Sequence, residues 1–335
     1  MTPKGSTSGM TQSGSDHRSA RVFQLEGEAH GLADRLPDLL LEAMRISSTV
    51  AHGIHGRRRA GPGETFWQFR QFQSMDAATL IDWRRSATSD HLYVREREWE
   101  AAHTVWLWPD LSPSMRFNSH LSKVTKHDRA LVLTLALAEL LVRGGERIAL
   151  LGLTRPSASR KAATKLAEAL ASAAGQPILE QSLPPPERLA RFSGVVLVSD
   201  FLDPPDIVAE RIGILAGGGV SGHLIQVLDP AEETLPYSGR TEFIGIEGPE
   251  RWTADRAEAL RGDYIEAFTA HRAQLQETAR RLGWSFTVHH TDRPPSEPIL
   301  SLVMRLSAGG GDYRVAASTT GEADGGKAGE GARTT

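Results

Sequence analysis

The amino-acid sequence predicts an α/β fold in which a mainly parallel β-sheet is flanked by helices and preceded by an N-terminal extension. From His103 onward, short apolar runs alternate with longer segments of helical periodicity, which is the pattern of βαβ units. Before that point the chain holds one helical pattern and then a segment rich in glycine, arginine and aromatic residues. These two textures predict one α/β domain with a smaller helix and β extension in front of it.

The 335 residues divide into four segments by composition, and this length agrees with roughly two structural units. Residues 1–20 and 307–335 have the low hydrophobicity that is typical of disordered tails. Residues 21–101 form the predicted extension. Residues 102–306 form the predicted α/β domain.

Short apolar runs separated by helical patterns predict the strands of this domain. They lie at residues 104–108, 147–153, 178–181, 194–199, 223–228 and 285–290, of which 178–181 has the weakest pattern. A further strand at residues 91–98 is expected to close the N-terminal extension.

Helical patterns fill the intervals between the strands. They span residues 123–143, 206–216 and 255–282. The first stops at Gly144, the type of residue that commonly ends a helix. The last begins with Asp255 and Glu258, whose spacing is that of a capping pair.

The composition excludes several classes of function. The chain has no cysteine, so disulfides, thiolate metal sites and a cysteine nucleophile are excluded. A formal net charge of -3 gives no reason to expect nucleic acid as a partner. No Walker A string, G-x-S-x-G elbow or H-E-x-x-H motif occurs.

The same composition predicts a cytoplasmic protein without a transmembrane segment. Residues 1–20 lack the apolar core of a secretory signal. The longest apolar stretch, residues 130–142, contains Glu139 and is shorter than the ~20 residues that a membrane helix needs.

Three oxygen-bearing side chains stand at alternate positions directly after the strand at 104–108. In the stretch VWLWPDLSPSM they are Asp110, Ser112 and Ser114. An extended chain points such residues to one side, and an all-oxygen set with one carboxylate suits hard cations such as Mg²⁺ or Mn²⁺. Asp and Ser also bond their own backbone at turns, so these residues could instead cap the helix that follows.

A second carboxylate, Asp200, follows the strand predicted at 194–199. Ligands of open parallel sheets bind at the carboxyl ends of strands, where neighbouring crossovers leave in opposite directions. Asp110 and Asp200 are therefore candidates for one site, provided that their strands are neighbours.

The string Asp110-Leu-Ser112-Pro-Ser114 resembles the metal-ion-dependent adhesion motif, D-x-S-x-S, of von Willebrand factor A domains. The flanking sequence resembles more specifically the bacterial family called domain of unknown function 58, DUF58, over residues 57–292. The segments that carry this resemblance are GPGETF at 61–66, FRQF at 69–72, IDWR at 81–84, VRE at 94–96, SDF at 199–201, LGWSF at 282–286 and TDRP at 291–294.

The resemblance implies a divalent ion, Mg²⁺ or alternatively Mn²⁺ or Ca²⁺, bound by Asp110, Ser112 and Ser114. It implies Asp200 as the acidic residue of the later loop, either in direct contact with the ion or through water. With so few protein charges around it, the ion would stay electrophilic and accept a carboxylate from another molecule.

The family of A domains also supplies a threonine from an intermediate loop. Thr164 is the candidate for this role, because it precedes a helical pattern, although it lacks the usual glycines around it. Thr154 follows a strand instead.

The resemblance implies a non-catalytic interaction module that recognises an acidic group on a protein partner through the bound ion. Members of the family are often encoded near MoxR-type AAA+ ATPases, which implies an adaptor that works with such an ATPase in protein maturation or complex assembly. The alternative is a metal-dependent hydrolase or phosphatase that uses Asp110 and Asp200. A carboxylate nucleophile would typically need a second acid two residues on, where this chain has Ser112. A scaffold that has lost its ion is a third interpretation.

Three other features are given structural roles. His289 and His290 are adjacent on a predicted strand and should face opposite ways, so they are not expected to bind one metal together. Trp83 is expected to be packed and Asp82 to pair with an arginine, docking the extension onto the sheet. The arginine run at 57–59 either binds an acidic group or is simply solvated.

Overall fold

The computed structural model describes residues 31–32, 34–52, 68–72, 81–89, 91–96, 103–246 and 250–309. The strands are β1 (Gln68–Gln71), β2 (Tyr93–Glu96), β3 (Thr104–Pro109), β4 (Arg147–Leu150), β5 (Gly194–Ser199), β6 (Ser221–Leu228), β7 (Thr241–Ile244), β8 (Arg251–Ala254) and β9 (Ser285–His290). The helices are α1 (34–52), α2 (Trp83–Ser86), α3 (Lys126–Arg143), α4 (Ala162–Ala173), α5 (Pro205–Ala216), α6 (Pro230–Thr234), α7 (Arg261–Arg281) and α8 (Ser296–Gly309).

The centre of the protein is a five-stranded sheet in the order β4-β3-β5-β6-β9, and each neighbouring pair runs parallel. From β3 the chain passes through α3 to β4, whereas from β5 it passes through α5 to β6. The two connections leave in opposite directions along the sheet, which opens a crevice at the carboxyl ends of β3 and β5. The predicted α/β class with a mainly parallel sheet is therefore confirmed.

Helices cover both faces of this sheet. One face packs against α1, α3, α4 and α8, and the other against α5 and α7. The alternation along β5 shows how one strand serves both layers: Val196 and Val198 face the first layer, whereas Val195 and Leu197 face the second. Among the described residues, no helix combines the length and the apolar character needed to cross a membrane.

Helix α3 is buried on nearly all sides because it lies between the sheet and the surrounding helices. Thr125 caps its start, since its hydroxyl accepts the N–H of Asp128 at 3.0 Å. Arg35 of α1 donates to both carboxylate oxygens of Asp128 at 2.8 Å. This contact and the buried apolar side chains of α1 attach the N-terminal helix to the domain.

Several predicted elements differ from the structure. Residues 178–181 are not a strand, because Pro177–Glu180 forms a 3-10 helix with the proline in its first turn. The helix predicted at 255–282 starts at Arg261 rather than Asp255, since Ala257–Leu260 forms a 3-10 helix before it. Arg251–Ala254 pairs with β7 in an antiparallel hairpin that the sequence analysis did not predict. Glu258 does not cap that helix and instead accepts the N–H of Gly239 at 2.8 Å.

The packing predicted for Trp83 is wrong, because its surface is 65% exposed. Asp82 accepts the backbone N–H of Arg85 at 2.9 Å, so its carboxylate caps the start of α2.

Helix α8 was not predicted, and it extends to Gly309, past the expected start of the C-terminal tail at 307. The predicted tail at 1–20, the arginine run at 57–59 and residues 310–335 lie outside the described residues.

Gly222 on β6 lies directly against the indole of Trp284. A Cβ atom at this position would lie 1.9 Å from Trp284 Cδ2, which is less than any real contact distance. Trp284 is only 5% exposed and donates its Nε1–H to the carbonyl of Val220 at 3.0 Å, so it has little room to move. Glycine is required here because of this close approach.

We expect Gly222→Ala to lower the free energy of unfolding by about 3 kcal/mol, because the added methyl group overpacks a rigid contact. Urea denaturation at neutral pH measures the change. Gly213→Ala on α5 is the matched control, since nothing lies within 4 Å of an added Cβ there. That variant should gain about 0.5–1 kcal/mol from helix propensity. Equal effects of the two substitutions would show that the contact with Trp284 is unimportant.

Candidate functional site

Asp110 and Asp200 lie side by side at the carboxyl ends of β3 and β5. Pro109 pairs with Val198, and the N–H of Asp110 donates to the carbonyl of Val198 at 2.8 Å. Both aspartates are buried, with exposures of 0% and 1%. The strands are neighbours, as the candidate site required.

A chain of hydrogen bonds joins four of the five residues that the sequence analysis assigned to the ion site. The Ser114 hydroxyl donates to Asp200 Oδ2 at 2.9 Å, and the Ser112 and Ser114 hydroxyl oxygens are 3.2 Å apart. The backbone N–H of Ser112 donates to Asp110 Oδ1 at 2.9 Å. The structure thus brings Asp110, Ser112, Ser114 and Asp200 together. We call this set the oxygen cluster.

The interpretation of these residues as a local turn also has a structural counterpart. The bond from the Ser112 N–H to the Asp110 carboxylate is the side-chain to backbone contact that Asp makes in turns. Ser112 precedes a 3-10 helix, Pro113–Arg116, but its hydroxyl makes no capping hydrogen bond. The hydroxyl oxygens therefore remain directed at the cluster, while the Asp110 carboxylate also holds the turn.

Burial and neighbouring charge act strongly on Asp110. Burial first, and the charge of Asp200 second, raise the pKa of Asp110 to about 7 from its ordinary value of 3.8. Hydrogen bonds from Ser112 and from the Ser199 hydroxyl, which lies 2.6 Å from Asp110 Oδ2, act in the opposite direction. The cluster therefore holds more negative charge than its own hydrogen bonds stabilise.

Lys126 supplies the nearest positive charge, and the sequence analysis did not identify it. Its ammonium donates to Asp200 Oδ2 at 2.8 Å and to Glu232 Oε1, and its side chain is only 1% exposed. Burial alone would lower the pKa of this ammonium, but the charges of Asp200 and Glu232 outweigh burial and raise it. Lys126 is thus a buried cation that bridges two carboxylates.

A sequence signal for Lys126 exists, although it is subtle. Lys126 is the first residue of α3, where the helix dipole disfavours a positive charge. In the structure, carboxylates from elsewhere in the fold compensate for this unfavourable position. Its partners Asp200 and Glu232 are 74 and 106 positions away, so no local pattern identifies them.

The loop after β6 also reaches the site. Asp229 begins α6 with a capping box, in which its side chain accepts backbone N–H groups and Glu232 Oε2 accepts the N–H of Asp229 at 2.8 Å. Asp229 also accepts from the hydroxyl of Ser119 at 2.6 Å and from its backbone N–H at 2.8 Å. These bonds fix Glu232 beside Lys126 and tie the β6 loop to the β3 loop.

The candidate threonines lie outside this hydrogen-bond network. Thr164 is half-buried in the first turn of α4, and it forms none of the hydrogen bonds of the cluster in the described part of the chain. The Thr154 hydroxyl accepts the N–H of Leu150 at 2.8 Å and so closes the turn after β4. The role of Thr164 as an ion ligand stays a prediction.

The donor chemistry of the cluster is oxygen throughout. Across the described residues, no group of three or more His, Cys, Asp or Glu side chains is placed to hold a metal ion. A cation in the cluster would therefore depend on serine hydroxyls in addition to two carboxylates. Oxygen donors of this kind fit Mg²⁺ and similar hard cations and do not fit zinc or copper.

The two adjacent histidines face different environments, as their positions on a strand predict. His289 is 3% exposed, whereas His290 points to the other side and contacts Glu233 through Nε2. Burial, followed by the charges of Arg129 and His290, lowers the pKa of His289 to about 3. His289 is therefore a neutral core residue.

Residues 68–274 match the family model described as Protein of unknown function DUF58. The chain belongs to the DUF58 family. The matched span contains the whole oxygen cluster together with Lys126 and Glu232, so the site lies in the family's shared region. This confirms the resemblance to DUF58 that the sequence indicates.

Relatives of this DUF58 chain include an uncharacterized protein of Mycobacterium bovis and one of Mycobacterium tuberculosis. Each is 29% identical over 277 residues, which cover 78% of this chain and 86% of the relative. Among solved structures, this chain is similar to the conserved hypothetical protein BatB from Bacteroides thetaiotaomicron. The identity is 13%, the TM-score is 0.36, and the match covers 62% of this chain and 100% of BatB. An aerotolerance-related membrane protein from Bacteroides fragilis gives 16% identity, a TM-score of 0.33 and coverage of 59% and 96%.

We expect Lys126→Met to lower the free energy of unfolding by about 3–5 kcal/mol in the presence of a chelator, because it leaves two buried carboxylates without their cation. Urea denaturation monitored by tryptophan fluorescence measures this loss. The matched control is Lys123→Met, three residues earlier on an exposed position, which should change stability by less than about 0.5 kcal/mol. Similar losses in both variants would rule out the buried bridge.

We expect the protein to lose stability as pH falls below 6.5, in part because of His289. The unfolded chain binds a proton at this histidine with a pKa near 6.5, whereas the folded protein does so only near 3. Stability from this group is therefore complete above pH 6.5 and decreases by about 2 kcal/mol at pH 5. His289→Gln should reduce the difference in unfolding free energy between pH 7.5 and pH 5, and an unchanged difference would contradict this role of His289.

Proposed function

We propose that this DUF58 protein is a non-catalytic adaptor with a domain of the von Willebrand factor A type, and that it recognises an acidic group on a protein partner through a divalent ion, preferably Mg²⁺. Asp110, Ser112, Ser114 and Asp200 would hold the ion, with Thr164 as a further candidate ligand. The observation that carries the proposal is the hydrogen-bonded convergence of the first four at the crevice between β3 and β5.

The electrostatics of the cluster support a cation. Asp110 has a raised pKa because its charge is buried beside that of Asp200, and a divalent ion would stabilise both ionised carboxylates. The serine hydroxyls can rotate, so their oxygen lone pairs are available as ligands. Such an ion, when bound, supplies an electrophilic docking point for a carboxylate of the partner.

Lys126 limits how much charge the ion must compensate. Its ammonium already pairs with Asp200 and Glu232, so one carboxylate of the cluster is partly neutralised. The cluster is therefore weakly anionic towards an incoming cation. A weakly anionic set leaves a bound ion with affinity for an external carboxylate, which suits recognition of a partner.

The identity of the partner rests on the family resemblance. We propose a MoxR-type AAA+ ATPase in the cytoplasm as the protein with which this adaptor works during protein maturation or complex assembly. An acidic side chain of that ATPase, or of its substrate protein, would complete the shell of the ion.

We expect Asp110→Asn to abolish Mg²⁺ binding while leaving the metal-free protein as stable as the wild type or more so, because the neutral amide removes repulsion with Asp200. Isothermal titration of the full chain with MgCl₂ measures binding, and thermal unfolding with and without chelator measures stability. At 100 times the dissociation constant, Mg²⁺ should stabilise the wild type by about 2.7 kcal/mol. The control Asp206→Asn changes an exposed carboxylate and should bind Mg²⁺ normally.

The same variants test the adaptor role. Purified MoxR-type ATPase should bind the wild type in Mg²⁺ and lose binding in chelator and with Asp110→Asn. Absence of Mg²⁺ heat from the wild-type titration would refute the ion site. Mg²⁺-dependent turnover on a panel of phosphoesters that disappears in Asp110→Asn would instead support the hydrolase interpretation.

A further inference from the structure

A large open groove begins at the oxygen cluster and extends along the β7–β8 hairpin. Its volume is about 870 Å³, and Ser114 and Lys126 are among its lining residues. Residues of α6 and of the start of α7 also line it. The groove is therefore continuous with the cluster, but most of its lining comes from elements that do not belong to it.

Aromatic and aliphatic side chains form the lining along the hairpin. Phe243 stacks on Trp252 with ring centroids 5.8 Å apart, and Tyr237 meets Phe243 edge to face at 6.0 Å. Trp252 is 54% exposed, and Ile244 and Ile246 are 55% and 49% exposed. Large apolar side chains grouped in one groove and open to solvent are typical of an interaction surface.

The charge of the groove is acidic. Four carboxylates line it, and Lys126 is the one basic side chain among its described lining residues. Those carboxylates belong to Glu232, Glu242, Glu250 and Asp263. Lys126 is already paired with Asp200 and Glu232, and Arg251 lies 3.4 Å from Glu242 at an exposed position. Glu250 and Asp263 leave a net negative charge beside the exposed aromatic rings.

We propose that this groove binds a segment of a partner protein in which arginine or lysine side chains are flanked by large apolar side chains. Exposed aromatic faces attract cations, most strongly at tryptophan, and Glu250 and Asp263 provide carboxylates for charge-assisted hydrogen bonds. The flanking apolar side chains would bury the exposed surface of Trp252 and Ile244. Nucleic acid, an anionic lipid surface or an acidic segment would meet repulsion in this groove.

The groove goes beyond the proposed ion site, because none of these contacts needs a bound cation. A partner that uses both surfaces would place a carboxylate on the ion and a basic and apolar segment next to it. Recognition of two opposite charges in a fixed order would give the protein a specificity that neither surface has alone.

The test uses random 12-residue peptides displayed on phage, selected against the full-length chain in buffer with chelator. Selected peptides are synthesised with a fluorescein label, and binding is measured by fluorescence anisotropy. We expect the selected sequences to be enriched in Arg or Lys next to Leu, Phe or Trp. Trp252→Ala and, separately, Glu250→Lys should each weaken binding at least about tenfold.

Matched controls lie elsewhere on the surface. Trp83→Ala removes a tryptophan that is 65% exposed but does not line the groove, and Glu210→Lys reverses an exposed charge on α5. Both should retain wild-type affinity. The proposal is overturned if no peptides are enriched, if the enriched peptides lack basic residues, or if Trp252→Ala and Glu250→Lys bind as well as the controls.

The outcome separates this inference from the ion site. Peptide binding that depends on Trp252 and persists in chelator supports the groove even if the Mg²⁺ titration gives no heat. Mg²⁺ binding without a peptide that depends on Trp252 supports the ion site and eliminates the groove.

Discussion

The burial of two carboxylates at the crevice between β3 and β5 is the constraint on which the rest of the site depends. Asp110 and Asp200 are almost inaccessible to water, and buried charges are costly unless they are paired and hydrogen-bonded. The Lys126 ammonium and the Ser112, Ser114 and Ser199 groups provide that pairing in part. The cost that remains falls on Asp110, which is why its pKa is raised.

The elements around the oxygen cluster supply partners for its buried charges. Helix α3 begins with Lys126 in spite of its dipole, because carboxylates from two other loops compensate for the ammonium. Asp229 anchors one of those loops through its capping box and its bonds to Ser119. Side-chain hydrogen bonds and ion pairs thereby connect the segments that follow β3, β5 and β6.

The oxygen cluster and the groove share one residue, Ser114, but differ in chemistry. Ser114 belongs to the cluster and also lines the groove, and Lys126 and Glu232 separate the two by a neutralised pair. On one side the protein offers oxygen donors for a cation. On the other it offers exposed aromatic rings with carboxylates around them. Under the two proposals, a partner would present acidic and basic groups close to each other.

The sequence by itself determined most strands of the central sheet and the grouping of the motif residues after β3, but not the hairpin of β7 and β8. The strand at 194–199 has the predicted bounds, because its uninterrupted apolar run reports burial on both faces of the sheet. The strand at 285–290 also has the predicted bounds, although its side chains are mostly half-buried. Asp110, Ser112 and Ser114 lie together as their spacing predicts, with Ser114 in the 3-10 helix Pro113–Arg116 rather than on an extended segment. Only the tertiary structure decided that β3 and β5 are neighbours, that Lys126 pairs with Asp200 and Glu232, and that β7 and β8 form a hairpin beside them. Strand order and pairing over 74 or more positions depend on how separate elements pack, and the periodicity of a single segment carries no information about its neighbours. The exposed position of Trp83 has the same origin, since an aromatic side chain is buried only where another element covers it.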